Sequence, residues 1–575
     1  MTSLRVQVDD EIYDIVQEMV LLDDELEGAG ETGITPLFIH ERHPFAAFDH
    51  GPPQRSHEDA RLSPQAPTIF AARRSLQHWC TLCSGIDSLQ VPLDSVVFQI
   101  LSGYVPVVLD WIDLLHPMNK NLQADLTTGG DHYMVCTDII MLWDGILKLL
   151  SAPSARLDFL DSNRTVPYVV DIWVNLFRYV KADHDSTAAL ETVDRVLHVL
   201  EVVLEVLSQS TVKRVPDVVA NAVAQSTRHS PRRLCRVVAQ QAKVIRRSED
   251  MIEARTLFSF GTALMTARSE LRPTSCPREA VRSIVGTLDN YISLEWWDAS
   301  YVLCQYLDAL FCMTQDHRAL EWAINADLFI VFARLLTKIP RTLPPLIDHA
   351  LFGLGRAIYN GFSSWRVLHA FDKKNRDMLP RTRLAEAHPV LGAVITAYDA
   401  RQGFLAPVRH LWKTMQRCGY KSCSKRDGLQ RSEVRPCSCR LLSYCSITCQ
   451  RRDWKEEHWQ RCTSSSGWST ERDVFFVKYI SLMYANKNKE SVVAQARRID
   501  PLRQHDLIIE VVHIEPTLSL NVRILEPVGV GATRSASLLA VWAEGKGTTA
   551  RQFEINLNML EASVDRESAG SVNKQ

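Results

Sequence analysis

The chain has 575 residues, a length for two to four domains, and 46% of them are apolar, enough for substantial cores. Its 65 Lys and Arg nearly balance 67 Asp and Glu, for a net charge of −2. No global field therefore selects nucleic acid or a membrane as partner. The N-terminal "MTSLRVQVDDEIYDI" lacks the basic-then-apolar pattern of a secretory signal, and no run of about 20 uncharged apolar residues occurs. Neither secretion nor a membrane span is expected, which places the chain inside the cell, in cytoplasm and/or nucleus.

Residues 1–30 are acidic, with Ile12, Ile15, Val16, Met19 and Val20 at helical spacing, which predicts an amphipathic helix. Residues 28–67 are rich in Gly, Pro, His and Ser and read as a loop or disordered linker, so 1–67 comprise an acidic helix and a disordered linker. From about 68 to 412 apolar helical segments succeed one another, among them "LDSVVFQILSGYVPVVLDWIDLL" and "LEWAINADLFIVFARLLTKI". The breaks between segments are turn-formers such as "HPMNKN" and "IPRTLPP". The fold class is mainly α: either stacked helix pairs of the armadillo or HEAT style, or an irregular helical domain. No clean period near 40 residues separates the two.

The tail changes period. "ERDVFFVKYISLMYANKN" reads as helix, whereas Leu518, Leu520, Val522 and Ile524 alternate, as do Phe553, Ile555, Leu557 and Met559. "DLIIEVVHI" and "SASLLAVWAE" read as two further strands, giving a small α+β domain over 472–561 and a frayed tail over 562–575. The Gly-rich "VGVGATRS" at 528–535 reads as a hairpin loop.

Between the helices and this tail the cysteines concentrate. Seven of fourteen are scattered, and seven fall between Cys418 and Cys462. In a reducing compartment, clustered Cys in step with His points to metal. The candidates are Cys418, Cys423, Cys437, Cys439, Cys445, Cys449, His458 and Cys462, which make two sets of four. Structural zinc takes four N or S ligands, so eight close two sites with no position left for a catalytic water. Cys445/Cys449 and His458/Cys462 are i, i+4 pairs that one helical turn can present together. A segment this short has too little apolar surface to fold alone, whereas structural zinc contributes roughly 10–16 kcal/mol per site in finger peptides. Trp454 and Trp459 are expected to form a miniature core beside the metals. Spacing alone does not distinguish interleaved from sequential pairing of the ligands.

The string C-x₄-C…C-x-C-x₄-Y-C-x₃-C-Q-x₂-D-W…H-x₃-C resembles the MYND zinc finger, across 413–464. The eight ligands, Tyr444, Gln450, Asp453 and Trp454 all fall where that pattern has them. Two spacings depart from it: only Ser438 separates Cys437 from Cys439, and the interval from Cys449 to His458 is one residue longer than the common form. The resemblance implies two Zn²⁺ per chain with interleaved ligands. One ion takes Cys418, Cys423, Cys445 and Cys449; the other takes Cys437, Cys439, His458 and Cys462. It further implies a protein-interaction module whose Gln450 and Trp454 meet a short proline-containing peptide, against the plainer reading of Trp454 as finger core. The layout, a long helical region before one such finger, is similar to that of MYND-containing proteins of fungi.

Other signals weigh less. Cys80 and Cys83 have C-x-x-C spacing without a second pair and read as buried thiols. "TRHSPRRLCRVVAQQAKVIRR" holds seven Lys and Arg and no acid from Arg228 to Arg247, and reads as a solvated helix face rather than a phosphate site. Residues 409–461 carry thirteen Lys and Arg against five acids. No aromatic–basic interleaving accompanies them, so nucleic acid is not the expected partner, although a nucleic-acid-associated transcriptional regulator remains an alternative. The enzyme alternative is a SET-type protein lysine methyltransferase, some of which carry a MYND finger. Neither an Asn-His dipeptide nor any cysteine after Cys462 is present, so no catalytic residue is assigned and a non-enzymatic adaptor is expected.

Overall fold

The computed structural model describes Phe48 and residues 51–53, 62–63, 66–89, 96–122, 130–149, 165–180, 187–208, 217–246, 251–314, 317–339, 345–376, 385–414, 418–424, 435–437, 442–459, 470–502, 505–527, 536–544 and 547–555. The expected N-terminal amphipathic helix, most of the 28–67 linker and the 562–575 tail lie outside them. The chain divides into two compact units, Met1–Leu271 and Arg272–Gln575, a boundary that falls inside the long helical stretch.

The first unit contains α1 (Pro67–Leu89), α2 (Val96–Gly103), α3 (Val105–Leu115), α4 (Gly130–Leu149), α5 (Thr165–Val180), α6 (Thr187–Ser208), α7 (Asp217–Ser226), α8 (Pro231–Ile245) and α9 (Ile252–Ala267). "LDSVVFQILSGYVPVVLDWIDLL", read as one segment, is two helices: α3 starts afresh with Pro106 in its first turn, where a missing N–H costs nothing. Helix α4 packs on α1, α5 and α6. Trp79, Trp111, Trp143 and Trp173 are buried in this core. Gly145 lets α4 lie against α1, since a Cβ there would stand 3.1 Å from the Trp79 ring and 3.2 Å from Cys83 Cβ. Asp138 crosses the same seam, accepting from Arg73 Nε at 2.7 Å and Gln77 Nε2 at 2.8 Å. Cys80 and Cys83 are buried, and burial pushes both thiols well above their ordinary value. They serve as small apolar side chains.

The second unit begins with α10 (Arg278–Ser293), α11 (Trp297–Met313), α12 (Arg318–Asn325), α13 (Leu328–Lys338), α14 (Pro345–Gly361), α15 (Trp365–Asn375), α16 (Pro389–Gln402) and α17 (Leu405–Thr414). Here "LEWAINADLFIVFARLLTKI" is broken at Asp327, whose φ of 68° is left-handed and stops α12 before α13 begins. After the cysteine-rich segment come α19 (Glu471–Lys487), α20 (Lys489–Ile499) and four strands, β3 (His505–Val512), β4 (Ser519–Pro527), β5 (Ala536–Glu544) and β6 (Gly547–Ile555). The fold is therefore mainly helical with a small α+β part, as the sequence predicts; Leu557 and Met559 lie outside the described residues.

The strand order is β4-β3-β5-β6, and the β3–β5 pair is parallel, Ile509 opposite Leu538. β4 and β5 thus flank β3 on opposite sides and do not pair with each other, so "VGVGATRS", which lies outside the described residues, does not link a hydrogen-bonded hairpin. Leu507, Ile509 and Val511 alternate onto one face with Ala536 and Leu538, beneath Ala485, Val492 and Ala496 of α19 and α20.

The sheet and the preceding helices share polar ties. Asp473 accepts from Thr470 N and Oγ1 in the capping box that starts α19, and also from Ser364 Oγ and Trp365 N at the start of α15, each at 2.9 Å. Arg401 of α16 is fully buried and donates to the carbonyls of Ala397, Pro516, His513 and Glu515 at 3.0–3.3 Å. Trp412 of α17 meets Phe475 of α19 with ring centroids 5.5 Å apart, so the chain leaves for the cysteine-rich segment and returns from it at one place.

Candidate metal centre

A two-residue ladder, β1 (Arg435–Pro436) with β2 (Ser443–Tyr444), sets the frame, pairing Arg435 with Tyr444 antiparallel. Gly419 N donates to Ser443 O at 2.7 Å, laying the loop that holds Cys418 along this ladder. A Cβ at Gly419 would stand 3.0 Å from Leu442 Cβ and 3.2 Å from the Tyr444 ring, so glycine permits the approach. Ser446 is extended and caps α18 (Ile447–Asp453), its Oγ accepting from Cys449 N at 3.1 Å. Cys449 lies in the first turn of α18, as expected, but Cys445 lies just before the cap: the cap turn, not the helix face, brings Cys445 beside Cys449.

The result is a cluster. The sulfurs of Cys418, Cys423, Cys445 and Cys449 all lie within 4.8 Å of one another. Cys423–Cys445 and Cys445–Cys449 are 3.5 Å apart and Cys449–Cys423 is 3.7 Å, far beyond a disulfide bond. Four sulfurs at 2.3 Å around a tetrahedral zinc stand about 3.8 Å from each other, so this donor set fits that ion in both chemistry and spacing. Electrostatics agrees. Burial and the neighbouring thiols push Cys445 up to about 12, and burial raises Cys418. Against its own desolvation, hydrogen bonds from Ser446 and the other thiols bring Cys449 below the ordinary value. Thiols this close resist a second ionisation unless a cation supplies the compensating charge.

Of the remaining candidates, Cys437 and His458 are described and are together: His458 Nε2 is 3.2 Å from Cys437 Sγ, and both are buried. Gln450 Nε2 also reaches that sulfur, at 3.7 Å. Cys439 and Cys462 lie outside the described residues.

The segment's small core is not the one expected. Trp454 and Trp459 are 40% and 48% exposed. Tyr444 and Tyr420 instead pack with Cys418 and Cys437. Tyr444 donates to Asp453 Oδ2 at 2.6 Å and Tyr420 to Glu456 Oε1 at 3.1 Å, so each ring fills space between ligands while its hydroxyl is satisfied. Tyr444 directly precedes Cys445 in the sequence and Tyr420 stands two residues after Cys418, but spacing does not say which rings are buried. Trp454 meets His458 edge-on at 5.7 Å, with Ile447, also exposed, two turns earlier.

Among the described residues no helix is long and apolar enough to cross a membrane. No protein-family model matches the chain, no curated protein matches it, and no solved structure matches its fold.

Proposed function

We propose that the chain is a non-catalytic, zinc-binding adaptor of the MYND type, with two structural zinc ions and a peptide-docking surface on its finger. The observation that carries the reading is the convergence of the Cys418, Cys423, Cys445 and Cys449 sulfurs. In this reading Cys437, Cys439, His458 and Cys462 hold the second ion, for which the closeness of His458 to Cys437 is the support. Zinc supplies charge neutralisation and a rigid crosslink; Tyr444 and Asp453 hold the β2–α18 corner around it.

Ile447, Gln450 and Trp454 stand at i, i+3 and i+7, the spacing of one helical face, and Ile447 and Trp454 are largely exposed. An apolar indole beside a carboxamide suits an extended proline-containing peptide, which is already stiff and loses little entropy on docking. The test uses the full-length protein. Elemental analysis is expected to give two zinc per chain; a value near one leaves only the four-cysteine site. Trp454→Ala is expected to keep its zinc and weaken capture of proline-containing peptides at least tenfold. Loss of zinc in that variant places the indole in the metal core instead, and methyl transfer from labelled S-adenosylmethionine by the wild type replaces the adaptor reading with an enzymatic one.

A further inference from the structure

The basic stretch at Arg228–Arg247 is not an evenly solvated face. Helix α8 buries Leu234, Val237, Val238, Ala242 and Ile245, and on the opposite side exposes Arg232, Arg236, Lys243 and Arg246. Arg232 and Arg246 are fourteen positions apart, so the stripe runs for about 21 Å. Two further elements widen it. Arg178, exposed near the end of α5, and Arg228, exposed in the turn between α7 and α8, flank Arg233. Burial, then Arg228 and Arg178, hold the Arg233 guanidinium below its ordinary value, while Asp171 pulls the other way. Like charges thus crowd where α5 and α8 meet. The turn that presents them is strained too: Arg228 and His229 both have left-handed φ, 55° and 53°, a conformation that non-glycine residues rarely adopt.

We propose that this patch on α5, the α7–α8 turn and α8 is a docking surface for the phosphate backbone of duplex nucleic acid. The surface is long and rich in guanidinium groups, which meet phosphate oxygens in pairs. The stripe shows no exposed aromatic ring on which single-stranded bases would stack. The apolar side of α8 is committed to the core, so the helix has nothing to insert into a bilayer. Recognition through the backbone alone carries no sequence preference.

The test measures anisotropy of a labelled 24-base-pair DNA duplex, and in a second arm an RNA duplex, with the zinc-loaded full chain at 50 to 200 mM salt. The expected result is salt-dependent binding to one or both duplexes that Arg232→Glu/Arg236→Glu weakens at least tenfold at 50 mM. The slope of log affinity against log salt should fall by about 2, one phosphate contact per arginine. Position 232 lies in the first turn of α8, where an acid favours the helix, and Arg236 is exposed, so neither change removes a core contact. Arg232→Lys/Arg236→Lys should restore most of the binding, and Arg497→Glu/Arg498→Glu in α20 should leave it unchanged. Binding that survives the α8 reversal, or that falls equally with the α20 reversal, overturns the proposal. So does displacement of the duplex by polyglutamate of equal charge, which assigns the patch to an acidic protein, or binding only to anionic vesicles.

Discussion

His513 is fully buried, its Nε2 2.8 Å from Ser481 Oγ, and burial followed by the nearby Arg401 charge lowers its pKa to about 3. The pair has the make-up of a catalytic dyad but is buried, and Ser481 Oγ also donates to Val477 O at 2.8 Å, so it serves as a buried polar contact. Its titration still matters. In the unfolded chain a histidine binds a proton near pH 6.5, whereas this one, when folded, does so only near pH 3. Between those values the unfolded state holds the extra proton, so the stability contribution is complete above about pH 6.5 and falls by about 1.4 kcal/mol for each pH unit below it. From pH 7.5 to 5.5 the Arg272–Gln575 unit should lose about 1.4 kcal/mol through this residue. His513→Asn should remove that increment, measured by denaturant midpoints at both pH values with zinc saturating. An unchanged pH difference in the variant would refute it. At this scale the four clustered cysteines were legible because metal binding imposes short, countable spacings. The exchange of tyrosine for tryptophan in the metal core was not, because spacing does not say which ring fits the volume left by sulfur.

At the scale of elements, close helix contacts depend on single glycines. A Cβ at Gly355 of α14 would stand 2.2 Å from Cγ1 of buried Val390 at the start of α16, whereas one at Gly286 of α10 would meet nothing within 4 Å. Gly355→Ala should therefore destabilise the second unit by about 1–3 kcal/mol through overpacking. Gly286→Ala should stabilise it by roughly 0.5–1 kcal/mol, because alanine loses less backbone freedom in a helix. Thermal melts of the two variants check the opposite signs. The helices were legible from apolar periodicity, and so were the strands from alternation. Their boundaries failed where one backbone angle decides, as at Asp327. The parallel β3–β5 pairing also escaped, because alternation fixes which face is buried but not which strand is the neighbour.

For the molecule, the sequence shows a long helical stretch but not that it divides at Leu271. The Pro-, Ser- and Thr-containing "RPTSCP" at 272–277 follows the boundary but reads like the other turn-forming breaks; the division follows from which helices pack together. Equally hidden was the extent to which the α+β tail joins the helices before it. Arg401 makes that join, and burial alone lowers its pKa to about 10 while keeping it charged at neutral pH. Arg401→Met should leave the carbonyls of His513, Glu515 and Pro516 without this donor and cost about 1.5–3 kcal/mol. Hydrogen exchange should then show the His505–Pro527 strands opening before α16; equal protection in variant and wild type would show that the join lies elsewhere.

The ring pair of Trp412 and Phe475 has a consequence for evolution and for metal starvation. A cassette that starts and ends at a single doorway can be emptied, swapped or excised without unpicking the walls. Closing that doorway with a ten-residue linker rather than the native excursion changes loop entropy by only about 1.5 kcal/mol, in favour of the shorter path. On the zinc reading proposed above, chelation should silence the knuckle while the house around it stands.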